Sequence, residues 1–252
     1  MSQKEALFIY TLRLADNALI NGQRLSEWCG HGPILEQDMA LTNIALDFMG
    51  QARSLFQYAA EVEGKGRTED DLAFLRDVWD FRNVLLLEQP NGDFAHTVCR
   101  QFLFDVYNYY FYVELKKSKD QQLAAIAEKS LKEVTYHLRW SSEWMIRLGD
   151  GTELSHDKIQ KALDKLWAFT GELMTTDETD QIVIDAGIAE DLEKIKPLWS
   201  ERVKQILAEA TLVQPQVNWM QSGGKQGKHT EHLGFILADM QYLQRAYPGQ
   251  EW

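Results

Sequence analysis

Apolar residues recur at helical spacing over long stretches of the chain, and short clusters of glycine and proline separate these stretches. Because proline interrupts helices, the intervals between the five prolines are where long helices can run. The pattern predicts long helices over about residues 5–29, 35–63, 94–118 and 120–148, and further helices over about 155–174, 191–211 and 231–245. A shorter helix is predicted to start at Thr68 with Asp71 as its capping partner, and residues 81–93 are expected to be irregular.

The connections between these helices predict how the long ones are arranged. Short turns join the first helix to the second and the third to the fourth, whereas a long segment separates the second from the third. Two helical hairpins with one long crossover are typical of the ferritin-like bundle. We therefore expect an all-α, ferritin-like domain over 1–252, with a core bundle over about 5–148 and extra C-terminal helices over about 155–245. An unrelated helical array with similar connections is the alternative.

Charge and composition exclude several classes of protein. The formal net charge of −12 would repel DNA, so we expect no nucleic-acid partner. Cys29 and Cys99 are far apart and form neither a disulfide framework nor a metal motif. No apolar run is long enough to span a bilayer, and Arg13, Asp16 and Asn17 interrupt the apolar N-terminal segment, which we interpret as a helix of the mature protein. We expect a cytoplasmic protein without a membrane partner.

Each of the four long helices carries an acid near its middle, on a face that includes apolar residues. These acids are Asp16, Asp47, Asp105 and Glu133. A di-iron carboxylate bundle takes one carboxylate from each of two helices, and a carboxylate followed by histidine three positions later from each of the other two. That spacing puts both ligands on one helix face. The acids therefore indicate the remains of a di-iron site. The alternative is that they are unconnected surface residues.

The two histidines of such a site are missing. Gly50 stands three residues after Asp47, and Tyr136 stands three residues after Glu133. His137 is four residues after Glu133, near that face but off the ligand spacing. Without both imidazoles we expect poor metal binding, so we predict neither a metal site nor a catalytic residue in this chain. Buried acids would then need polar partners. The candidates are Arg13, Arg24, Arg53, Lys132 and His137.

A basic loop before the last predicted helix is a second candidate site. Lys225 and Lys228 lie in a glycine-rich stretch that could meet an anionic ligand or an acidic partner, although the P-loop spacing and a preceding strand are missing. His229 and His232 are three residues apart and could form half of a metal site. The alternatives are a flexible loop and an ordinary helix start.

Five long stretches carry a resemblance to a known family over nearly the whole chain. They are LRLADNALINGQRLSEWCGHGP, IALDFMGQARSLFQYAAE, LLLEQPNGDFAHTVCRQFLFD, EVTYHLRWSSEWMIRLGDGT and GGKQGKHTEHLGFILADMQYLQRAYPGQEW. These stretches resemble the phenylacetate degradation family, in particular the C-type subunits of the bacterial ring 1,2-phenylacetyl-CoA epoxidases. Gly50 and Tyr136 agree with the C-type pattern.

The resemblance implies a place in a multicomponent monooxygenase of aerobic phenylacetate catabolism. In this family a catalytic A subunit holds the di-iron centre and transfers one oxygen atom of O₂ to the aromatic ring of phenylacetyl-CoA. The C-type subunit shares the ferritin-like fold and supports the A subunit without its own cofactor. A small B subunit and a reductase with FAD and an iron–sulfur centre complete the system. Self-association is left open.

Two other functions stay open beside this structural role. The chain could be an independent ferritin-like di-iron oxidase or an iron-binding bundle with altered ligands. It could also be a binding module for the CoA thioester, using Lys225 and Lys228.

Overall fold

The computed structural model describes residues 1–250, and within that range the chain forms ten α-helices and no strand. The helices are α1 (Gln3–Ser26), α2 (Leu35–Glu63), α3 (Glu69–Phe74), α4 (Leu85–Glu88), α5 (Phe94–Leu115), α6 (Gln121–Gly149), α7 (Glu153–Leu166), α8 (Glu178–Asp185), α9 (Leu192–Glu209) and α10 (Glu231–Ala246). The all-α prediction is confirmed. Thr68 and Asp71 form the predicted capping box at the start of α3.

Some helix ends differ from the sequence prediction because local hydrogen bonds decide them. The Thr152 side chain accepts the Ser155 N–H at 3.2 Å, so α7 begins at Glu153 and not at Ser155. Two 3₁₀ turns, Trp167–Phe169 and Gly171–Met174, take the place of its predicted last turns. The short helices α4 and α8 occur where no helix is predicted, since segments this short carry little periodicity.

The chain divides into two compact units, one of Met1–Pro90 with the segment from Gly223 onward, and one of Asn91–Ser222. The sequence prediction placed its division near residue 150 instead, and the single domain over 1–252 stays a prediction. The last helix, α10, belongs to the first unit, where it packs beside α1, α3 and α4. The Gln241 side chain fixes it there by donating to the backbone oxygens of Ala73 and Arg76, both at 3.1 Å.

In the first unit, α1 and α2 form an antiparallel hairpin. Lys4 at the start of α1 reaches the Glu63 carbonyl oxygen at the end of α2. Near the other end the helices approach closely at Gly22, where an added Cβ would lie 3.1 Å from Met49 Cε and 3.3 Å from both Ala45 O and Phe48 Cβ. A larger residue at position 22 would therefore push the two helices apart.

In the second unit, α5 and α6 form another hairpin, and α7 and α9 pack against it. The Phe94 ring at the start of α5 meets Trp144 near the end of α6 edge-on, with centroids 5.0 Å apart. The buried Trp199 of α9 donates its indole N–H to the Leu103 carbonyl oxygen at 3.0 Å. In the second unit α5 therefore packs against α6 at its start and against α9 nearer its middle. Nowhere in residues 1–250 is there a helix long and apolar enough to cross a membrane.

We predict that Gly22→Leu lowers the free energy of unfolding by about 1–3 kcal/mol, because the new side chain overpacks the contact between α1 and α2. Urea denaturation of the isolated chain measures this. Gly50→Leu is the matched control, since a Cβ at position 50 meets nothing within 4 Å. Equal stability of the two variants would contradict this close packing at Gly22.

Candidate functional site

Asp16 is fully buried in the middle of α1, and protein donors occupy both of its carboxylate oxygens. The Arg76 guanidinium donates Nη1–H to Oδ2 at 3.1 Å and Nη2–H to Oδ1. The Arg82 backbone N–H donates to Oδ2 at 2.8 Å. Burial raises the pKa of the Asp16 carboxyl above its ordinary value, and the charge of Arg76 opposes that rise. The acid is therefore compensated by an ion pair inside the first unit.

Several contacts besides Asp16 fix the position of the Arg76 side chain. It lies just after α3, is buried, and donates Nε–H to the Leu72 carbonyl oxygen and Nη1–H to the Asp80 carbonyl oxygen. Its guanidinium carbon lies 4.2 Å from the centre of the Phe81 ring. The sequence did not single out Arg76, because no spacing rule relates it to an acid 60 residues earlier.

The three arginines that the sequence predicted as partners of the buried acids bind other groups. Arg13 donates to the Lys225 carbonyl oxygen at 3.4 Å, Arg24 to the Glu88 carbonyl oxygen at 2.7 Å, and Arg53 to Glu69 at 3.4 Å. Arg13 and Arg24 thereby tie α1 to distant segments of the same unit.

Asp105 is the second fully buried acid, in the middle of α5. Its Oδ1 accepts from the Gln101 side chain at 2.6 Å, and its Oδ2 accepts from the Ser141 hydroxyl at 2.8 Å. Burial raises the pKa of Asp105 to about 7, against the opposing effects of His137 and of the two hydrogen bonds. Of the candidate partners predicted for the acids, His137 is thus the one beside Asp105.

The polar cluster around Asp105 continues along α6. His137 is fully buried there, although the sequence placed it off the ligand spacing. About two helical turns before His137 on α6, Ser130 is hydrogen-bonded to the buried Tyr112 hydroxyl. Burial raises the pKa of Tyr112 above its ordinary value, so the phenol stays neutral. The cluster joins α5 to α6 by neutral and ionic hydrogen bonds.

The other predicted positions of the site lie nearer the surface. Asp47 and Glu133 are half-buried, Gly50 is exposed and Tyr136 is 39% exposed. The buried faces of α2 and α6 instead include the residues that follow Gly50 and Tyr136. Gln51 and His137 occupy those positions, and both are buried.

The burial pattern therefore corrects the predicted register by one residue. Each residue advances about 100° around a helix, so a position three residues after another lies about 60° away from it. From the half-buried Asp47 and Glu133, that step reaches the exposed positions Gly50 and Tyr136. Gly50 and Tyr136 do not occupy inward positions vacated by histidines.

These residues do not fit a di-iron centre. The oxygens of Asp16 and Asp105 already accept from protein donors, and Gly50 and Tyr136 face outward. No group of three or more His, Cys, Asp or Glu side chains within residues 1–250 is arranged to hold a metal ion. The buried hydrogen bonds of Asp16 and Asp105 hold neighbouring segments of each unit together.

The basic loop is packed against the first unit. Lys225 is buried, and an added Cβ at Gly224 would lie 2.2 Å from the Asn83 carbonyl oxygen, whereas Lys228 is exposed. The buried His229 ring donates Nε2–H to the Phe81 carbonyl oxygen at 2.9 Å and places Nδ1 3.3 Å from Glu88 Oε2. His232 is half-buried.

Glu88 organises this region and was missed by the sequence reasoning. It is fully buried in α4, and its Oε1 accepts the Thr230 N–H at 2.9 Å, just before α10 begins. Because His229 faces Glu88 and the Phe81 carbonyl oxygen, its geometry favours an anchor for the loop over half of a metal site. The acid lay in a segment that was expected to be irregular, so no periodic pattern marked it.

We predict that Arg76→Met lowers the free energy of unfolding by about 3–5 kcal/mol, because it leaves Asp16 buried without its cation. Adding Asp16→Leu should restore a large part of that loss. Arg147→Met is the control, since Arg147 forms an exposed pair with Glu143. Chemical denaturation measures all three. A double variant no more stable than Arg76→Met would show that the ion pair is not the source of the loss.

We predict that Asp105→Asn changes the pH dependence of stability. In the wild type the folded state keeps the Asp105 proton up to about pH 7, whereas the unfolded chain releases it near pH 4. As the pH rises from about 4 to about 7, the free energy of unfolding therefore loses a contribution of up to about 4 kcal/mol.

Asparagine does not titrate, so the variant should lack this loss and gain stability relative to wild type as the pH rises. Urea denaturation across the window measures the difference. A difference between the two proteins that stays constant with pH would contradict a raised pKa at Asp105.

Comparison with known proteins agrees with this architecture. The chain matches the family described as "Phenylacetic acid catabolic protein" over residues 1–252, a ferritin-like helical family. It is 52% identical over 246 residues to the C subunit of the 1,2-phenylacetyl-CoA epoxidase of Escherichia coli (strain K12), a match that covers 98% of this chain and 99% of the relative. The resemblance expected from the sequence is confirmed, and the chain belongs to the phenylacetic acid catabolic protein family.

Proposed function

We propose that this chain is a structural, non-catalytic subunit of a multicomponent di-iron monooxygenase that epoxidises the ring of phenylacetyl-CoA. Its partners would be the catalytic A subunit and the small B subunit, with FAD and iron–sulfur centres in a separate reductase. The identity to the C subunit of an epoxidase, over nearly the full length of both chains, supports this assignment. A cytoplasmic location is part of the same proposal.

The observation that carries the non-catalytic role is the state of the two fully buried acids. Asp16 accepts from Arg76 and the Arg82 backbone, and Asp105 accepts from Gln101 and Ser141. A metal ion would have to displace these donors and leave a buried guanidinium without its carboxylate. Since an unpaired buried charge is strongly destabilising, Asp16 favours Arg76 over a metal ion. At Asp105 a metal ion would leave the Gln101 amide and the Ser141 hydroxyl without their acceptor.

The same contacts explain what the chain itself does in this role. Arg76 ties α1 to the end of α3, and Ser141 ties α6 to α5. These bonds fix helices that would be held by metal ligands in a catalytic member of a di-iron family. A fixed helical surface is what a supporting subunit offers to a catalytic partner.

Iron analysis separates this function from that of an independent di-iron oxidase. We predict that the purified chain, incubated anaerobically with Fe(II) and desalted, retains far less than one iron per chain, while the catalytic subunit treated in parallel retains about two. Two irons in this chain, with the absorption of an oxo-bridged pair, would contradict the structural role.

Co-expression tests the partner. We expect the chain to co-purify with the catalytic subunit, and the epoxidation of phenylacetyl-CoA to require that subunit, because residues 1–250 of this chain hold no cluster of side chains arranged to bind a metal ion. A chain that remains separate from the catalytic subunit at micromolar concentration would contradict the supporting role.

A further inference from the structure

The N-terminal half of α2 presents apolar side chains to solvent. Leu35 is 72% exposed, Met39 56% and Leu46 62%. At 100° per residue, these three and Gly50 fall within an arc of about 60° in the middle of the exposed face. They extend over about 22 Å of the helix axis. We name Leu35, Met39, Leu46 and Gly50 the α2 stripe.

The same face becomes polar beyond Gly50. Arg53, Gln57 and Glu61 are exposed along the C-terminal half of α2. Arg53 and Gln57 both donate to the Glu69 carboxylate, at 3.4 and 2.9 Å. A surface helix normally turns polar residues to water, as this second half does. The α2 stripe is therefore suited to burial against another molecule.

Gly50 supplies a second, independent observation. Glycine within a helix is less stable than alanine, so an interior glycine needs a reason. Gly22 has one, because α2 approaches α1 there and leaves no room for a Cβ. A Cβ at Gly50 would meet nothing within 4 Å in this chain. A close approach by a helix from outside the chain accounts for the glycine.

The charges beside the α2 stripe indicate which kind of molecule it binds. Glu36 lies along one edge of the stripe and Asp38 along the other, so both edges carry negative charge. A second copy, also carrying −12, would bring acids against acids in an antiparallel pairing about the middle of the stripe. A chain with lysine or arginine beside its apolar face would complement them.

We propose that the α2 stripe docks a helix of a different subunit, whose apolar face is flanked by lysine or arginine. This inference rests on the proposed function and identifies the surface that the partner covers. Gly50 lets the two helix backbones approach closely. The apolar face of the partner helix packs against Leu35, Met39 and Leu46. The acidic edges fix its orientation and exclude a second copy.

Sedimentation velocity of the full chain with the catalytic di-iron subunit of the epoxidase tests this docking. Gly50→Leu should weaken the complex roughly tenfold or more, because the side chain fills the approach. Gly50→Ala should also weaken it, although alanine raises the Tm of the isolated chain by about 2 °C. Weaker binding by a more stable chain excludes misfolding as the cause.

The charge of the partner is tested at Leu46. Leu46→Lys should weaken binding more than Leu46→Glu, since lysine opposes a basic partner and glutamate attracts it. Leu154→Lys is the matched control, because Leu154 is 68% exposed on α7, outside the stripe. It should bind as the wild type does.

The outcomes separate the docking surface from the proposed function. If the wild type binds and the stripe variants bind equally well, the docking surface is wrong and the supporting role stands. If the wild type does not bind the catalytic subunit, both are wrong. If the wild type forms a dimer that Gly50→Leu disperses, the occupant is a second copy, which overturns the proposal.

Discussion

The structure depends on the constraint that a carboxylate removed from water must find donors. Asp16 and Asp105 each lie in the middle of a long helix, fully buried, and each belongs to a different compact unit. Arg76 and the Arg82 backbone satisfy the first acid, and Gln101 and Ser141 satisfy the second. In each unit, the donors that bind the buried carboxylate come from the same unit. In a di-iron bundle, by contrast, metal ions neutralise the buried acids.

The two solutions differ in their chemistry. Asp16 meets a full positive charge, fixed between the end of α3 and the Phe81 ring. Asp105 meets an amide and a hydroxyl with His137 nearby, and burial raises its pKa to about 7. Burial raises the pKa of both acids, but at Asp16 the charge of Arg76 opposes that rise and favours the ionised form, whereas Asp105 can become neutral. Both arrangements lower the free-energy cost of a polar residue inside a helical core.

Periodicity predicted the helical class, all four long helices and the burial of Asp16 and Asp105, because long amphipathic patterns report which face is inward. It could not find Arg76, whose pairing joins residues 60 positions apart, or Glu88, which lies in a helix of four residues. The register at Gly50 and Tyr136 was off by one residue, since Asp47 and Glu133 sit at the edges of their buried faces. A sequence shows the face of a helix more reliably than the partner that completes it.

The proposed supporting role requires that the buried acids of this chain take no part in the epoxidation. The most direct test is the kcat for phenylacetyl-CoA epoxidation by a complex assembled from the catalytic subunit and the Asp16→Asn, Asp105→Asn chain, with assembly verified by sedimentation. If the supporting role is correct, the assembled complex turns over at the wild-type kcat. A large loss of kcat in a complex that assembles normally would contradict it and would place these carboxylates in the reaction.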